Sequence, residues 1–244
     1  MLGSSPDSAG YATSPRVYGT WGARLVLAGV TVMLVAHWMV FFWVSTEASM
    51  GIIQRINYVH VPAAWITELA FGVTALCSCV YLWLRDDRAD AAAVVAAEGG
   101  LYFAVILLVA GPLWGKVAWG AYWTWEPRLT LTLLLFFIFL GYFMVRGYAA
   151  DSERGKRMAA VVAIVGALDI PLIHMSVYWF RSLHPEPVFL RPSGPAAASE
   201  MTATLLVALA AYSLVFLGLF ALRYGVETVE RGRARPPQAS EATP

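Results

Sequence analysis

Charge is scarce in this chain. Of 244 residues only 14% are Asp, Glu, Lys or Arg, while 59% are hydrophobic. An average soluble domain carries about 25% charged residues. With a mean hydropathy of +0.63, the composition argues against a water-soluble globule. Cysteine is also scarce. Cys77 and Cys79 are the only two, both in one apolar run, so no disulfide framework is available. Two positions apart on a helix they point about 200° apart, which prevents them from clipping one small ion. The net charge is only +1, so no strongly basic face invites nucleic acid. A phosphate-binding Gly-x-x-x-x-Gly-Lys-Ser/Thr run is missing, because Gly111 and Lys116 are wrongly spaced for it. The chain should not hydrolyse ATP by itself.

What is present is long apolar runs and tryptophan. A bilayer core needs about 20 apolar residues per helix, and six stretches qualify: roughly 24–45, 61–84, 91–111, 129–149, 158–179 and 201–222. The expected fold is an all-α integral membrane protein, a bundle of six transmembrane helices spanning 24–222 as one domain. Residues 1–23 form a polar N-terminal segment without the compact apolar region and small-residue cleavage site of a signal peptide. Residues 223–244, with Arg231, Arg233, Arg235 and the Pro236-Pro237 pair, read as a solvated tail.

Basic residues orient the bundle. The N-terminal segment, the second and fourth connections between spans and the C-terminal tail hold twelve Lys and Arg, among them Arg16, Arg85, Arg146, Lys156 and Arg235. The alternate connections hold five: Arg55, Lys116, Arg128, Arg181 and Arg191. The positive-inside rule then puts both termini in the cytoplasm. Three loops face outward, at about 46–60, 112–128 and 180–200.

The second outer loop, 112–130, contains Trp114, Trp119, Trp123 and Trp125, four of the ten Trp within twelve residues, followed by Glu126, Pro127 and Arg128. One reading is an interfacial aromatic belt. The other is a ligand platform. On an interfacial helix Trp119 and Trp123 would stack one turn apart, with Lys116 and Arg128 at the rim. Such a surface suits a large planar ligand carrying acidic groups.

Histidine is also rare, with His37, His60, His174 and His184 the only four. His60 and His184 fall at the outer side, 124 residues apart. His174 lies ten residues before His184, about 15 Å along a helix. His37 is deep in the first span. Three acidic groups fall inside spans, where a bare charge is costly. Glu68, two turns below His60, could reach solvent at the site or bond a histidine. Glu98 could snorkel inward. Asp169 precedes Pro171 by two residues; that proline should free a carbonyl and bend the helix, and Asp169 should be protonated or hydrogen-bonded.

The run from Trp114 to Thr130 resembles the Trp-rich "WWD" signature of the haem-handling membrane proteins of cytochrome c maturation. Within that superfamily the chain resembles the CcmC family. Tyr58–Trp65 resembles that family's first outer loop with its histidine, and Asp169–His184 resembles the end of its fifth span with its second histidine. The sequence departs from the pattern at Glu126 (usually Asp), Pro127 (as in the related haem-lyase branch), Asp169 (Asn expected) and Pro185 (Gln expected). The resemblance implies a non-covalent b-type haem, ligated by His60 and His184 and contacted by Trp114, Trp119, Trp123, Trp125, Glu126 and Arg128. No Cys-x-x-Cys-His run would attach haem covalently. A second, buried haem held by His37 and His174 is the alternative use of the other histidines. The implied activity is not enzymatic. It is delivery of haem at the outer face of the inner membrane to a periplasmic CcmE-type chaperone during cytochrome c biogenesis. CcmA/CcmB-type ABC transporter subunits and a small CcmD-type membrane subunit are the implied partners. The alternative is a haem lyase attaching haem to apocytochrome c.

Overall fold

A computed structural model describes residues 6–148, 152–180, 182–184 and 197–234, with side chains described between Val17 and Arg233. Arg16 therefore has backbone only, and Arg181, Pro185, Arg191, Arg235 and the Pro236-Pro237 pair lie outside the described residues. The described chain is helical. Its helices are α1 Pro6–Trp38, α2 Asn57–Leu84, α3 Asp87–Trp119, α4 Pro127–Tyr148, α5 Glu153–Ala167, α6 Asp169–Trp179 and α7 Ser199–Ala234. A π-helical turn, Met39–Trp43, extends α1, and a 3₁₀ turn, Ile52–Ile56, leads into α2. Six segments are long and apolar enough to cross a bilayer, α5 and α6 together making the fifth. The protein is an all-α, six-span membrane protein.

Local chemistry explains where the helices stop. Asp86 caps α3 by accepting from the Arg88 amide at 2.9 Å. Ser152 caps α5 by accepting from the Gly155 amide at 3.2 Å. The α3 helix ends at Gly120, whose φ of 79° is left-handed, a conformation glycine adopts without steric cost. Pro171 lacks an N–H and its ring would strike the carbonyl four residues earlier. That carbonyl belongs to Ala167, where α5 stops, so the bend expected from Pro171 is a break between α5 and α6.

The helices form pairs. α1 packs chiefly along α7 and α2 along α3, while α4 and α5 close the other side. The α1–α7 pair is close because Gly29 and Gly218 have no side chains. A Cβ on Gly29 would stand 2.7 Å from the Val215 amide nitrogen, and one on Gly218 would stand 2.6 Å from that of Val26. In the core the Phe71 and Phe139 rings stack at 3.6 Å, joining α2 to α4.

The bundle has two chemically different ends. At the charged end, Asp90 of α3, 2% exposed, accepts from Arg146 of α4 at 2.7 and 3.0 Å and from Arg231 of α7 at 2.9 Å. This corrects the expected tail. Residues 223–234 continue α7 and are ion-paired, Arg231 with Asp90 and Glu227 and Arg223 with Glu98 at 2.9 Å. Glu98 thus meets a cation of α7 instead of snorkelling. The expected polar N-terminal segment is likewise helical from Pro6. Removing the carboxylate that Arg146 and Arg231 share is expected to cost about 3–5 kcal/mol, the scale for breaking a buried ion pair. Asp90→Ala should lower the temperature at which detergent-solubilised protein loses its helical circular dichroism.

Candidate haem site at the aromatic end

The opposite end gathers three connections: 44–56, the residues between α3 and α4, and the segment following α6. Its geometry starts from a stripe on α3. Gly111, Gly115 and Trp119 are spaced four apart and share one helical face. A Cβ on Gly111 would lie 3.1 Å from His60 Cε1, so the missing side chain is the room in which the His60 ring of α2 sits. A Cβ on Gly115 would lie 3.1 Å from the Trp119 ring, which folds over it.

Each of the two histidines meets one tryptophan of α3. His60 packs edge-on against Trp114 with ring centroids 5.5 Å apart. Trp119 packs edge-on against His184 at 4.8 Å. The Trp114 indole N–H also donates to Met50 Sδ at 3.4 Å, which ties in the 44–56 connection. That connection is itself held by Glu47, whose carboxylate accepts from the Met50 amide at 2.5 Å and the Ser49 amide at 2.9 Å.

Glu126, immediately before α4, is buried at 9% exposure and gathers the segment after α6. One carboxylate oxygen accepts from the Ser182 hydroxyl at 2.5 Å and the Leu183 amide at 2.9 Å. The other accepts from His184 Nδ1. Burial works against the Glu126 charge, but the Ser182 hydroxyl, the His184 ring and the Leu183 amide together hold its carboxyl below the usual carboxylate range. Burial pushes the His184 imidazole down, outweighing the pull of Glu126, and Arg128 pushes it the same way. The pair is therefore an ionised carboxylate accepting from a neutral imidazole. With the proton on Nδ1, the Nε2 lone pair of His184 is free.

Arg128, in the first turn of α4, has no side-chain hydrogen bond or ion pair among the described residues. Its charge reaches His60, His174 and His184. His60 and His184 are also close enough for their charges to interact. Among the described residues His60 Nδ1 and Trp123 Nε1 are buried without a well-formed hydrogen bond, the Leu107 backbone being in reach of the His60 ring.

Several expectations change here. The loop expected over 112–130 is shorter, because α3 runs on to Trp119 and α4 begins at Pro127. Trp114 and Trp119 are therefore helical residues. Trp119 and Trp123 do not stack: the left-handed turn at Gly120 breaks the helical spacing, and Trp123 meets Trp125 instead, edge-on at 5.8 Å. Trp125 is 75% exposed. Lys116 is no free rim cation. It donates to the Gly120 carbonyl at 2.9 Å and lies over the Tyr122 ring at 5.4 Å, capping α3. His37 and His174 are not a pair. His37 Nδ1 donates to its own helix at Met33, 2.7 Å, whereas His174 Nε2 bonds Glu68 of α2 at 2.8 Å. Both carboxyl oxygens of Asp169 are buried without a hydrogen-bond partner among the described residues.

Gly111 enters the sequence reading only as a wrongly spaced phosphate-loop glycine, and Met50, Ser182 and Leu183 have no role in it. The Gly111/Gly115 spacing, in phase with Trp119, was a readable signal for a cleared helix face. Met50 and Ser182 carried none, since their partners lie 64 and 56 residues away.

The donor set fits a planar iron porphyrin. It offers two imidazoles from separate segments, aromatic edges beside each, and a guanidinium, unpaired among the described residues, for carboxylates. Fold and site together define a multi-pass membrane protein with a two-histidine, tryptophan-flanked site at one end of its bundle. A family model described as "Heme exporter protein C" matches residues 9–238, and the chain belongs to that family, CcmC. Among its relatives is Heme exporter protein C of Bradyrhizobium diazoefficiens, 34% identical over 218 residues, covering 89% of this chain and 82% of the relative. The Haemophilus influenzae protein of the same name is 31% identical over 212 residues, covering 87% and 84%. A putative cytochrome c biosynthesis ccmC-like mitochondrial protein of Marchantia polymorpha is 37% identical over 143 residues, covering 58% and 60%.

Proposed function

We propose that this protein binds haem as cargo at the aromatic end of the bundle and delivers it to a CcmE-type chaperone for cytochrome c maturation. The observation that carries this reading is the convergence of His60 and His184 at one rim, each against a tryptophan of α3. The relatives' name, Heme exporter protein C, supports haem as the cargo and export as the activity. In this reading the aromatic end faces the periplasm, both termini lie in the cytoplasm, and the membrane is the inner membrane. The excess of Lys and Arg at the charged end supports that orientation. CcmA/CcmB-type and CcmD-type subunits are the proposed partners, the former supplying the nucleotide chemistry that this chain's motifs lack.

The chain's own residues would orient and shield the cargo. His60 and His184 would hold the iron from both faces, as neutral imidazoles do. Trp114 and Trp119 would exclude water beside them. Arg128 would receive a propionate, where a guanidinium fixes orientation as well as binding. The exposed Trp125, backed by the half-buried Trp123, would be the edge offered to the chaperone. The work of this chain's residues is then binding, orientation and release.

The direct test is the absorption spectrum of purified protein, followed by mixing with a soluble chaperone. Bis-imidazole haem that moves to the chaperone supports delivery. Accumulation of holocytochrome without a haem–chaperone complex would instead support a lyase. Gly111→Leu should displace the His60 ring and convert the bis-imidazole spectrum to one with a single histidine, while His184 stays in place. An unchanged spectrum would show that His60 is not a ligand. Orientation is checked in a background with Cys77 and Cys79 replaced by alanine. Tyr122→Cys should react in intact cells with a thiol reagent that cannot cross the membrane. Arg154→Cys should react only once the inner face is opened. The reverse pattern would put the site in the cytoplasm.

A further inference from the structure

The two histidines are held very differently. His184 Nδ1 donates to Glu126, and the same carboxylate also takes the Ser182 hydroxyl and the Leu183 amide. A carboxylate in this cluster can only accept, so the His184 proton is fixed on Nδ1. Nε2 is left as the ligating atom, and the ring is held in one orientation. Among the described residues His60 has no carboxylate behind it. Its buried Nδ1 makes no well-formed hydrogen bond there, only the Leu107 backbone being in reach of the ring, which is positioned by packing on Gly111 and Trp114. A carboxylate behind an imidazole raises its basicity as a ligand, and loss of such a partner typically costs about 10–100-fold in metal affinity.

We propose that Glu126 is a positioning residue that makes His184 the anchoring haem ligand, leaving His60 as the ligand that lets go first when haem is handed on. The inference rests on the reading that haem lies between these two histidines. It gives the site a direction. The His60 face of the iron opens first, and an incoming ligand from the chaperone would enter there while the porphyrin stays tethered through His184. Glu126 also joins the start of α4 to the segment after α6, so the anchor is built on two parts of the chain.

The experiment uses full-length protein in detergent and compares wild type, Glu126→Gln, Glu126→Asp, His60→Ala and His184→Ala. Before haem is added, ¹⁵N spectra of histidine-labelled protein should show His184 as the Nδ1–H tautomer in wild type. A mixture is expected in Glu126→Gln, whose amide can donate as well as accept. With haem, Glu126→Gln should raise the midpoint potential, because the more basic ligand favours ferric iron, and should speed haem loss about 10–100-fold. Glu126→Asp should restore both toward wild type. A merely structural Glu126 would not move the potential in step with the tautomer. His184→Ala should lose haem faster than His60→Ala by a comparable factor.

Equal haem loss from the two histidine variants, or an unchanged potential and off-rate in Glu126→Gln, would overturn the asymmetry while leaving the haem site intact. If neither histidine variant changes the spectrum, the site itself is wrong and the asymmetry falls with it.

Discussion

Replacing both His60 and His184 by alanine is expected to leave purified protein with no haem absorption above background, while the same change at His37 leaves the spectrum of wild type. The reason is geometric. His60 and His184 converge at one rim, whereas His37 is bonded within its own helix to the Met33 carbonyl and lies on α1, which packs chiefly on α7. His174→Ala belongs in the same series. Its Nε2 is taken by Glu68, so its loss should leave both axial ligands in place. The measurement is haem content and the visible spectrum of each variant, purified at matched protein concentration. Haem loss from His37→Ala equal to that from His60→Ala would move the iron into the bundle and end the rim model.

The second large effect concerns the tryptophans, which fall into two pairs with different tasks. Trp114 and Trp119 each lie edge-on to a histidine. Such aromatic contacts contribute about 0.5–1.5 kcal/mol each beyond the area they bury. Losing both in Trp114→Ala/Trp119→Ala should therefore speed haem loss about 5- to 150-fold. Trp123 and Trp125 contact each other instead, and Trp125 is largely exposed. Trp123→Ala/Trp125→Ala should keep the bis-imidazole spectrum and a near-normal off-rate but fail to transfer haem to the chaperone. Arg128→Ala should resemble this second pair, with transfer falling more than binding, because the lost guanidinium orients one edge of the cargo. Haem off-rate and transfer, measured side by side, decide it. Normal off-rates and normal transfer in both double variants would reduce these rings to an interfacial belt.

Much of this was legible along the chain. Six apolar runs of bilayer length became six spans, because in hydrocarbon each backbone polar group must be satisfied within its own helix. That requirement is local and leaves a local trace. Pro171 marked its own bend for the same reason. The segments holding His60, the four tryptophans and His184 could also be selected, since rare residue types clustered near span ends stand out against an apolar background.

The contacts between those segments left no such trace. Glu126 stood in the Trp-rich motif, but that it accepts from His184 was decided by α4 and α6 lying side by side, 58 residues apart in sequence. The same holds for Glu68 and His174, 106 residues apart, and for Arg231 and Asp90, 141 apart. Composition at the C-terminus indicated a solvated tail because Arg is hydrophilic. Its described part, 223–234, is helical, and the buried Asp90 gives Arg231 there a partner. The length of the tryptophan loop turned on Gly120 and on how Lys116 caps it. Periodicity and hydropathy thus determined what crosses the membrane and which residues stand at its edge. Only the tertiary structure decided which edge residues meet, because a hydrogen bond depends on distance and direction between segments and not on the identity of either segment alone.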